Sequence, residues 1–249
     1  MFKGKKVVVV MPAYNAAKTI VKTHHEVMEQ GIVDQVIVVD DQSSDDTVAV
    51  AGELAKTTVL SHVTNIGYGG NQKSCYRLAL ENGGDIIVMV HPDYQYTPQL
   101  IPAMVSMIGN GLYSCVLGSR ILGGHALAGG MPRWKYVANR FLTAFQNLLM
   151  GAKLSEYHTG YRAFSREMIE DLDLSGNSDD FVFDNQMLSQ ILWKGYKIGE
   201  VSCPTKYFPE ASSINFRRST QYGLGCLWNS FLFRMGKMGL VRSKLFSTD

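Results

Sequence analysis

Cysteine is scarce and dispersed in this chain. Its four cysteines (Cys75, Cys115, Cys203, Cys226) show no CxxC spacing. That pattern argues against a zinc ribbon or a disulfide frame and predicts reduced thiols in a cytoplasmic setting. No stretch supplies the ~20 consecutive apolar residues of a membrane span. The N-terminus is basic and then apolar, but it stops at Pro12 with no small-residue cleavage site, so a first buried strand fits it better than a secretory leader. Net charge is only +2, too near neutral to argue for a nucleic-acid partner. A glycine- and lysine-rich phosphate signature after the first apolar run is also missing, which counts against a nucleotidyltransferase.

What is present is ample apolar content, 46% of 249 residues, enough for a full core in one large α/β domain or two small ones. The first third repeats one unit three times. Strands at Val7–Met11, Val36–Val39 and Thr58–Val63 are each followed by a loop and a helix, over 16–30, 48–56 and 72–82. A fourth apolar run, Ile86–Val90, has no polar alternation and reads as a strand buried on both faces. Such units predict right-handed crossovers, a parallel sheet, and loops gathered along one edge.

That edge carries the polar residues. His91, Asp93 and Gln95 follow the fourth strand at alternate positions, with Pro92 between the first two. In an extended chain they would point one way and converge where open α/β sheets bind ligands. The plain alternative is a polar strand end entering a turn. Asp40 and Asp41 leave the second strand together, and adjacent carboxylates there call for a cation or hydrogen-bond donors. A nucleotide's base N–H and ribose hydroxyls are suitable donors. Ser43, Ser44 and Asp45 could cap the next helix, with Asp45 or Asp46 as the cap and Asp40 and Asp41 facing ligand. Gly67–Gly70 reads as a glycine loop, not a dinucleotide GxGxxG. With Lys73 one turn on, it could approach a phosphate.

Four segments in order, 7–15 (VVVVMPAYN), 38–47 (VVDDQSSDDT), 65–70 (NIGYGG) and 91–95 (HPDYQ), resemble the nucleotide-sugar motifs of family 2 glycosyltransferases, and most nearly the dolichol-phosphate mannose synthase-like branch. The resemblance spans roughly residues 5–215. It implies a GT-A fold, that is, a Rossmann-like, mostly parallel α/β sheet flanked by helices. It also implies a nucleotide-diphosphate sugar donor (UDP or GDP), inversion at the anomeric carbon, and a divalent cation. Carried over, Pro12, Ala13, Tyr14 and Asn15 would line the base and ribose pocket. Asp40 would meet the base and Asp41 the ribose side, with Gly67, Lys73 and Pro92 also on the donor. The family's metal motif reads Asp-x-Asp-x-Gln. Here His91 takes the first place, while Asp93 and Gln95 remain. An imidazole there favours Mn²⁺ over Mg²⁺ if it ligates; otherwise Asp93 and water hold the ion and His91 bonds a phosphate.

In the second half, helices are expected at 100–109, 133–150, 166–172 and from about 184 to Trp193, with strands at 113–117 and 197–201. Gly118-Ser119-Arg120 resembles the family segment whose arginine faces a phosphate. The glycine-rich stretch 121–132 reads as a mobile loop over the donor. Helix 133–150 carries an apolar side (Trp134, Val137, Phe141, Leu142, Phe145, Leu148, Leu149) that is expected to pack on the sheet. Residues 158–165 resemble an acceptor-side Thr-Gly-Phe-Arg segment. Asp184, near a helix start, is the candidate base for an acceptor hydroxyl or else a cap; a lipid-phosphate acceptor needs little base. The lipid-phosphate branch's Arg and Gly-x-Ser-Lys do not align near 206–214, where Lys206, Arg217 or Arg218 could substitute.

These readings give a donor half of about 1–120, an acceptor half of about 121–215, and a C-terminal helical extension over 216–249. The extension is expected to pack on the core or form an oligomer contact, with peripheral contact at the inner face of a membrane as the alternative. The expected activity is metal-assisted transfer to an acceptor glycan hydroxyl or polyprenyl phosphate. The rival is a non-catalytic nucleotide-sugar scaffold with a decayed metal motif.

Overall fold

The computed structural model describes residues 1–205 and 216–246. A seven-stranded sheet in the order β3-β2-β1-β4-β6-β5-β7 forms its centre. The strands are β1 (Val7–Ala13), β2 (Gln35–Asp40), β3 (Thr57–Ser61), β4 (Ile86–Met89), β5 (Cys115–Ser119), β6 (Arg162–Ser165) and β7 (Ile198–Ser202). The helices are α1 (Ile20–Glu29), α2 (Thr47–Gly52), α3 (Tyr68–Glu81), α4 (Ile101–Gly109), α5 (Arg133–Met150), α6 (Arg166–Asp171), α7 (Phe183–Trp193) and α8 (Phe216–Lys237).

The apolar runs form strands because both faces of the sheet are covered. Along β1, Val8 and Val10 enter one core while Val7, Val9 and Met11 enter the other. The same two-residue alternation divides Ile37 and Val39 from Val36 and Val38, and Ile87 and Met89 from Ile86 and Val88. β1 pairs in parallel with β2 on one side and β4 on the other. The strand order therefore reverses at β1/β4, and in open α/β sheets the crevice at such a switch point takes the ligand.

The sheet is not wholly parallel. β6 runs antiparallel to both β4 and β5. With only four residues, one of them a buried arginine, it offers no readable period. Three other expectations change. The glycine loop is the first turn of α3, since Gly69 and Gly70 lie inside the helix. Residues 121–131 are hydrogen-bonded turns (Gly124 N to Ile121 O, Gly129 N to His125 O, Met131 N to Ala126 O) with Ala126 and Met131 buried. And α5 presents Asn139, Thr143, Gln146 and Met150 inward, while Val137, Phe141 and Leu148 are 62–74% exposed. Its apolar stripe does not pack on the sheet. Of the proposed substitute cations, Lys206 lies outside the described residues, while Arg217 and Arg218 fall in the first turn of α8. No described helix is long and apolar enough to cross a membrane.

Candidate functional site

Register sets the site. Ala13 pairs with Asp40, Asp41 N donates to Ala13 O, and Val90 N donates to Val10 O. The 12–15 turn, the 40–45 turn and the 91–95 turn therefore share one rim, on either side of the end of β1. Pro12 and Ala13 are buried, whereas Tyr14 is 60% exposed. Asn15, at φ 52°, ties the first two turns together. Its backbone N donates to Ser43 Oγ, and its Oδ1 accepts from Ser44 N at 2.9 Å. Asn71, which the motifs did not single out, donates from Nδ2 to Val39 O at 2.9 Å and so pins the end of β2 from α3.

The two adjacent aspartates have different work. Asp41 Oδ1 accepts from Ile66 N (2.9 Å) and pairs with His62 Nδ1 (3.0 Å), while its Oδ2 accepts from Gly67 N (3.0 Å). It holds the entrance to α3. Asp40 is 1% exposed. Its Oδ2 accepts from Ser43 N and Ser61 Oγ, and its Oδ1 is buried without a partner. A buried acceptor left unmade costs about 1–3 kcal/mol, so this oxygen is a ready seat for an N–H donor. The residue at the cap of α2 is Asp46, which makes no side-chain cap bond, while Asp45, one residue earlier, accepts from Thr47 N.

Gly67 sits at φ 88°, and a Cβ there would lie 2.5 Å from Asp179 O. A Cβ on Gly69 would lie 2.3 Å from Ser178 O and 2.7 Å from Phe183 Cβ. The amides of Gly69 and Gly70 both donate to Asp179 O. These glycines let α3 approach the 178–183 segment, so the first reason for them is packing. Lys73 follows the same contact, donating to Asn177 O at 2.6 Å and pairing with Asp179 at 2.8 Å.

After β4 the chain does not stay extended. Tyr94 takes φ 61° and Asp93 Oδ1 accepts from Gln95 N, so the alternate-side-chain geometry expected of 91, 93 and 95 is replaced by a turn. Pro92 is buried, and its carbonyl accepts from Thr23 of α1. His91 turns inward. Its Nε2 lies 3.1 Å from Tyr68 Oη, and the rings stack with centroids 5.6 Å apart. Tyr68 Oη donates to Asp184 Oδ2 at 2.8 Å. Burial first, then the Asp184 carboxylate, holds the Tyr68 phenol well above its ordinary pKa, so it keeps its proton. Having one hydrogen, the hydroxyl accepts from His91, which makes Nε2–H the donor.

Asp184 is the hub of a buried network. Its Oδ1 accepts from Gln72 Nε2 at 3.0 Å and lies 3.5 Å from Arg162 Nη1. Arg162, fully buried, also donates to Asp184 O, Thr159 O and Tyr157 O. It staples the 157–159 segment to the start of α7. Both Asp184 oxygens are engaged, and it makes no helix-cap bond. Arg120 is held by Glu156, a fully buried carboxylate that no motif announced. Arg120 Nε donates to Glu156 Oε1 at 2.9 Å, its backbone N to Oε2 at 2.8 Å, and its Nη2 to His158 O at 2.7 Å. His158 is half-buried, and desolvation lowers its pKa to about 4 against the pull of Glu156.

Among the described residues, no three His, Cys, Asp or Glu side chains stand together as a metal cage. Asp93, with Gln95 beside it, fits a hard divalent ion of the kind held by one carboxylate and completed by substrate phosphates and water. His91 Nε2 is not available to it, which leaves Nδ1 as the only imidazole atom that could ligate.

The fold and the rim together define a GT-A glycosyltransferase. Glucosyl-3-phosphoglycerate synthase of Mycobacterium tuberculosis, solved with Mn²⁺, UDP and glucosyl-3-phosphoglycerate, superposes with a TM-score of 0.68 at 19% identity, over 96% of this chain and 82% of that one. The model for glycosyl transferase family 2 matches residues 8–173, and the chain belongs to that family. Among similar proteins, the low-salt glycan biosynthesis hexosyltransferase Agl6 of Haloferax volcanii is 32% identical over 72% of this chain, which spans only 41% of it. The UDP-N-acetylglucosamine–dolichyl-phosphate N-acetylglucosaminyltransferase of Methanococcus voltae is 27% identical over 94% of this chain and 98% of its own length. The undecaprenyl-phosphate mannosyltransferase of Micrococcus luteus is 25% identical over 93% and 99%.

Proposed function

We propose that this glycosyltransferase takes its sugar from a UDP-sugar, with inversion, and passes it to a polyprenyl phosphate. The observation that carries the donor reading is Asp40 Oδ1, buried without a partner at the switch-point rim. A uracil presents one ring N–H flanked by carbonyls, which suits a single waiting acceptor. Asn15, Ser43 and Ser44 border the same end of the sheet and suit the ribose side. Relatives and neighbours whose names include UDP support uridine over guanosine.

A divalent cation held by Asp93, with Gln95, would neutralise charge growing on the departing diphosphate. The chain's own part is to fix the donor. Asp40 takes the base, the 12–15 and 43–44 turns shape the ribose pocket, and the Pro92–Gln95 turn meets the diphosphate. On the acceptor side, Asp184 accepts from Tyr68 and Gln72 through both oxygens, which makes it a poor base and a good strut. A phosphate acceptor, already ionised at neutral pH, asks for no such base. Two relatives of near-equal length carry lipid phosphates in their names.

The test is a thermal-shift series with UDP and GDP, each with Mn²⁺ or Mg²⁺, since a ligand that binds only the native state raises the melting temperature. UDP with metal should raise it most. No shift with any nucleotide would defeat the reading. Release of UDP from a UDP-sugar that depends on undecaprenyl phosphate would then identify the acceptor class.

A further inference from the structure

α5 and α8 are inside-out helices. The buried residues of α5 include Asn139, Thr143 and Gln146, and α8 buries Asn229 and Ser230 beside Cys226 and Phe233. Outward, α5 shows Trp134, Val137 and Phe141, and α8 shows Leu224, Trp228 and Phe231, each 44–64% exposed. These positions recur at helical spacing, so each set lies along one face. The inward polar groups are bonded: Asn229 Nδ2 donates to Asn185 Oδ1 at 2.9 Å, and Asn139 Nδ2 to Glu156 at 2.8 Å. The inversion is therefore built into the packing, and it commits the apolar residues to the outside.

The two helices adjoin and run the same way. Gly223 lies against Leu142, and Arg234 donates to Leu148 O at 3.0 Å. A shallow open groove of about 590 Å³ lies along α5, lined by Arg133, Trp134, Val137, Ala138 and Phe141. Charge then selects the occupant. Residues 133–153 and 216–246 hold ten of the chain's 24 Lys and Arg and none of its 22 Asp and Glu, so the remainder of the chain is net acidic. Arg133, Arg140, Arg217 and Arg218 lie toward the shared N-terminal end, and Lys237 and Arg242 toward the other.

We infer that this α5–α8 face docks on an anionic lipid bilayer, with the aromatic rows entering the headgroup region and the cations meeting the phosphates. Apolar rows with basic flanks and no acid match that surface in both shape and charge. A second copy is the poorer occupant. A two-fold interface would set the same patch against itself and bring like charges together. The face also borders the acceptor side of the site. Tyr222 of α8 bonds His158 at 2.8 Å, and His158 O accepts from Arg120. The inference rests on these helices and stands whether or not the acceptor is a lipid phosphate.

Flotation of the full chain with vesicles, with no nucleotide or acceptor added, tests it. Binding is expected to vesicles of phosphatidylcholine with phosphatidylglycerol, to fall at least tenfold on phosphatidylcholine alone, and to weaken as salt rises. The exposed pair F141S/W228S should lose at least tenfold in binding while keeping its melting temperature and UDP shift. The charge variant R133E/R217E should lose binding to the anionic vesicles only. The inference is overturned if the wild type stays with the soluble fraction, if F141S/W228S binds as well as wild type, or if those substitutions instead convert a dimer to a monomer.

Discussion

Replacing Asp40 with asparagine isolates one atom of the proposed donor site. Asp40 Oδ2 accepts from Ser43 N and Ser61 Oγ, and these two donors will hold the amide oxygen of an asparagine in the same place. The amide nitrogen then falls where Oδ1 was, in a pocket where the residue is 1% exposed and that atom has no protein partner. A ligand N–H would meet an N–H. The lost interaction is a hydrogen bond to a charged group, about 1.5–3 kcal/mol. At 1.4 kcal/mol per decade, that is roughly a 10- to 150-fold rise in Kd. Because the Ser43 and Ser61 bonds survive, the melting temperature of the free protein should move little. Isothermal titration of UDP with Mn²⁺ into D40N and wild type gives the comparison. Equal affinity within threefold, in a variant with unchanged melting temperature, would refute the reasoning, because the base would then be read elsewhere.

Stability should fall as pH drops from 6.5 toward 4, in part through His158. Its folded pKa is lowered to about 4 from 6.5, so below 6.5 the unfolded chain binds a proton that the native one refuses; this contribution is whole above 6.5 and amounts to about 3 kcal/mol. Urea melts at pH 7 and pH 4.5 should show a shallower loss in H158Q than in wild type, and identical losses would remove His158 from the account. Gly69→Ala forces a Cβ to 2.3 Å from Ser178 O and should cost about 1–3 kcal/mol, whereas Gly52→Ala, with nothing within 4 Å, should stabilise by roughly 0.5–1 kcal/mol. Calorimetry in which G69A melts no lower than G52A would contradict the packing role. Arg162→Met removes a donor from three carbonyls and leaves the Asp184 carboxylate without its cation, and a loss of about 3–5 kcal/mol is expected by urea titration; a loss under 1 kcal/mol would show that the network relaxes freely.

The sheet was legible wherever burial on both faces made an unbroken apolar run. β1, β2 and β4 appear within a few residues of their places, and α5 matches its expected span, 133–150. What escaped reading was direction. Period 3.6 locates the apolar stripe of α5 but says nothing of which way it faces, and the customary inward choice is the wrong one here. Likewise Asp40 and Asp41 are consecutive in an extended segment, so their side chains leave on opposite sides. Only one of them could stay unpartnered at the rim, and sequence does not say which. The converging triplet 91-93-95 presumed an extended chain, which the positive φ of Tyr94 breaks. Glu156, Asn71 and Gln72 left no local signal because each acts through a partner at least 32 residues away.

The histidine that stands where the family has aspartate is the sharpest departure in the motif, and its surroundings argue that it is built in. A degraded ligand should lie loose at the rim. His91 instead stacks on Tyr68, lies 6.3 Å from the Tyr96 ring centroid, and donates to a hydroxyl already fixed by Asp184. Space has been left for it: a Cβ on Gly160 would fall 2.5 Å from His91 Nε2. That glycine belongs to the 158–165 segment, and its backbone N donates to Tyr96 Oη at 3.1 Å. An aspartate at 91 could not reproduce this arrangement, because a carboxylate only accepts and the Tyr68 proton is already spent on Asp184. The position therefore joins the 91–95 turn to the start of α7 through one imidazole and one phenol. The two halves of the site are held in register by the very residue that a motif comparison would score as a loss.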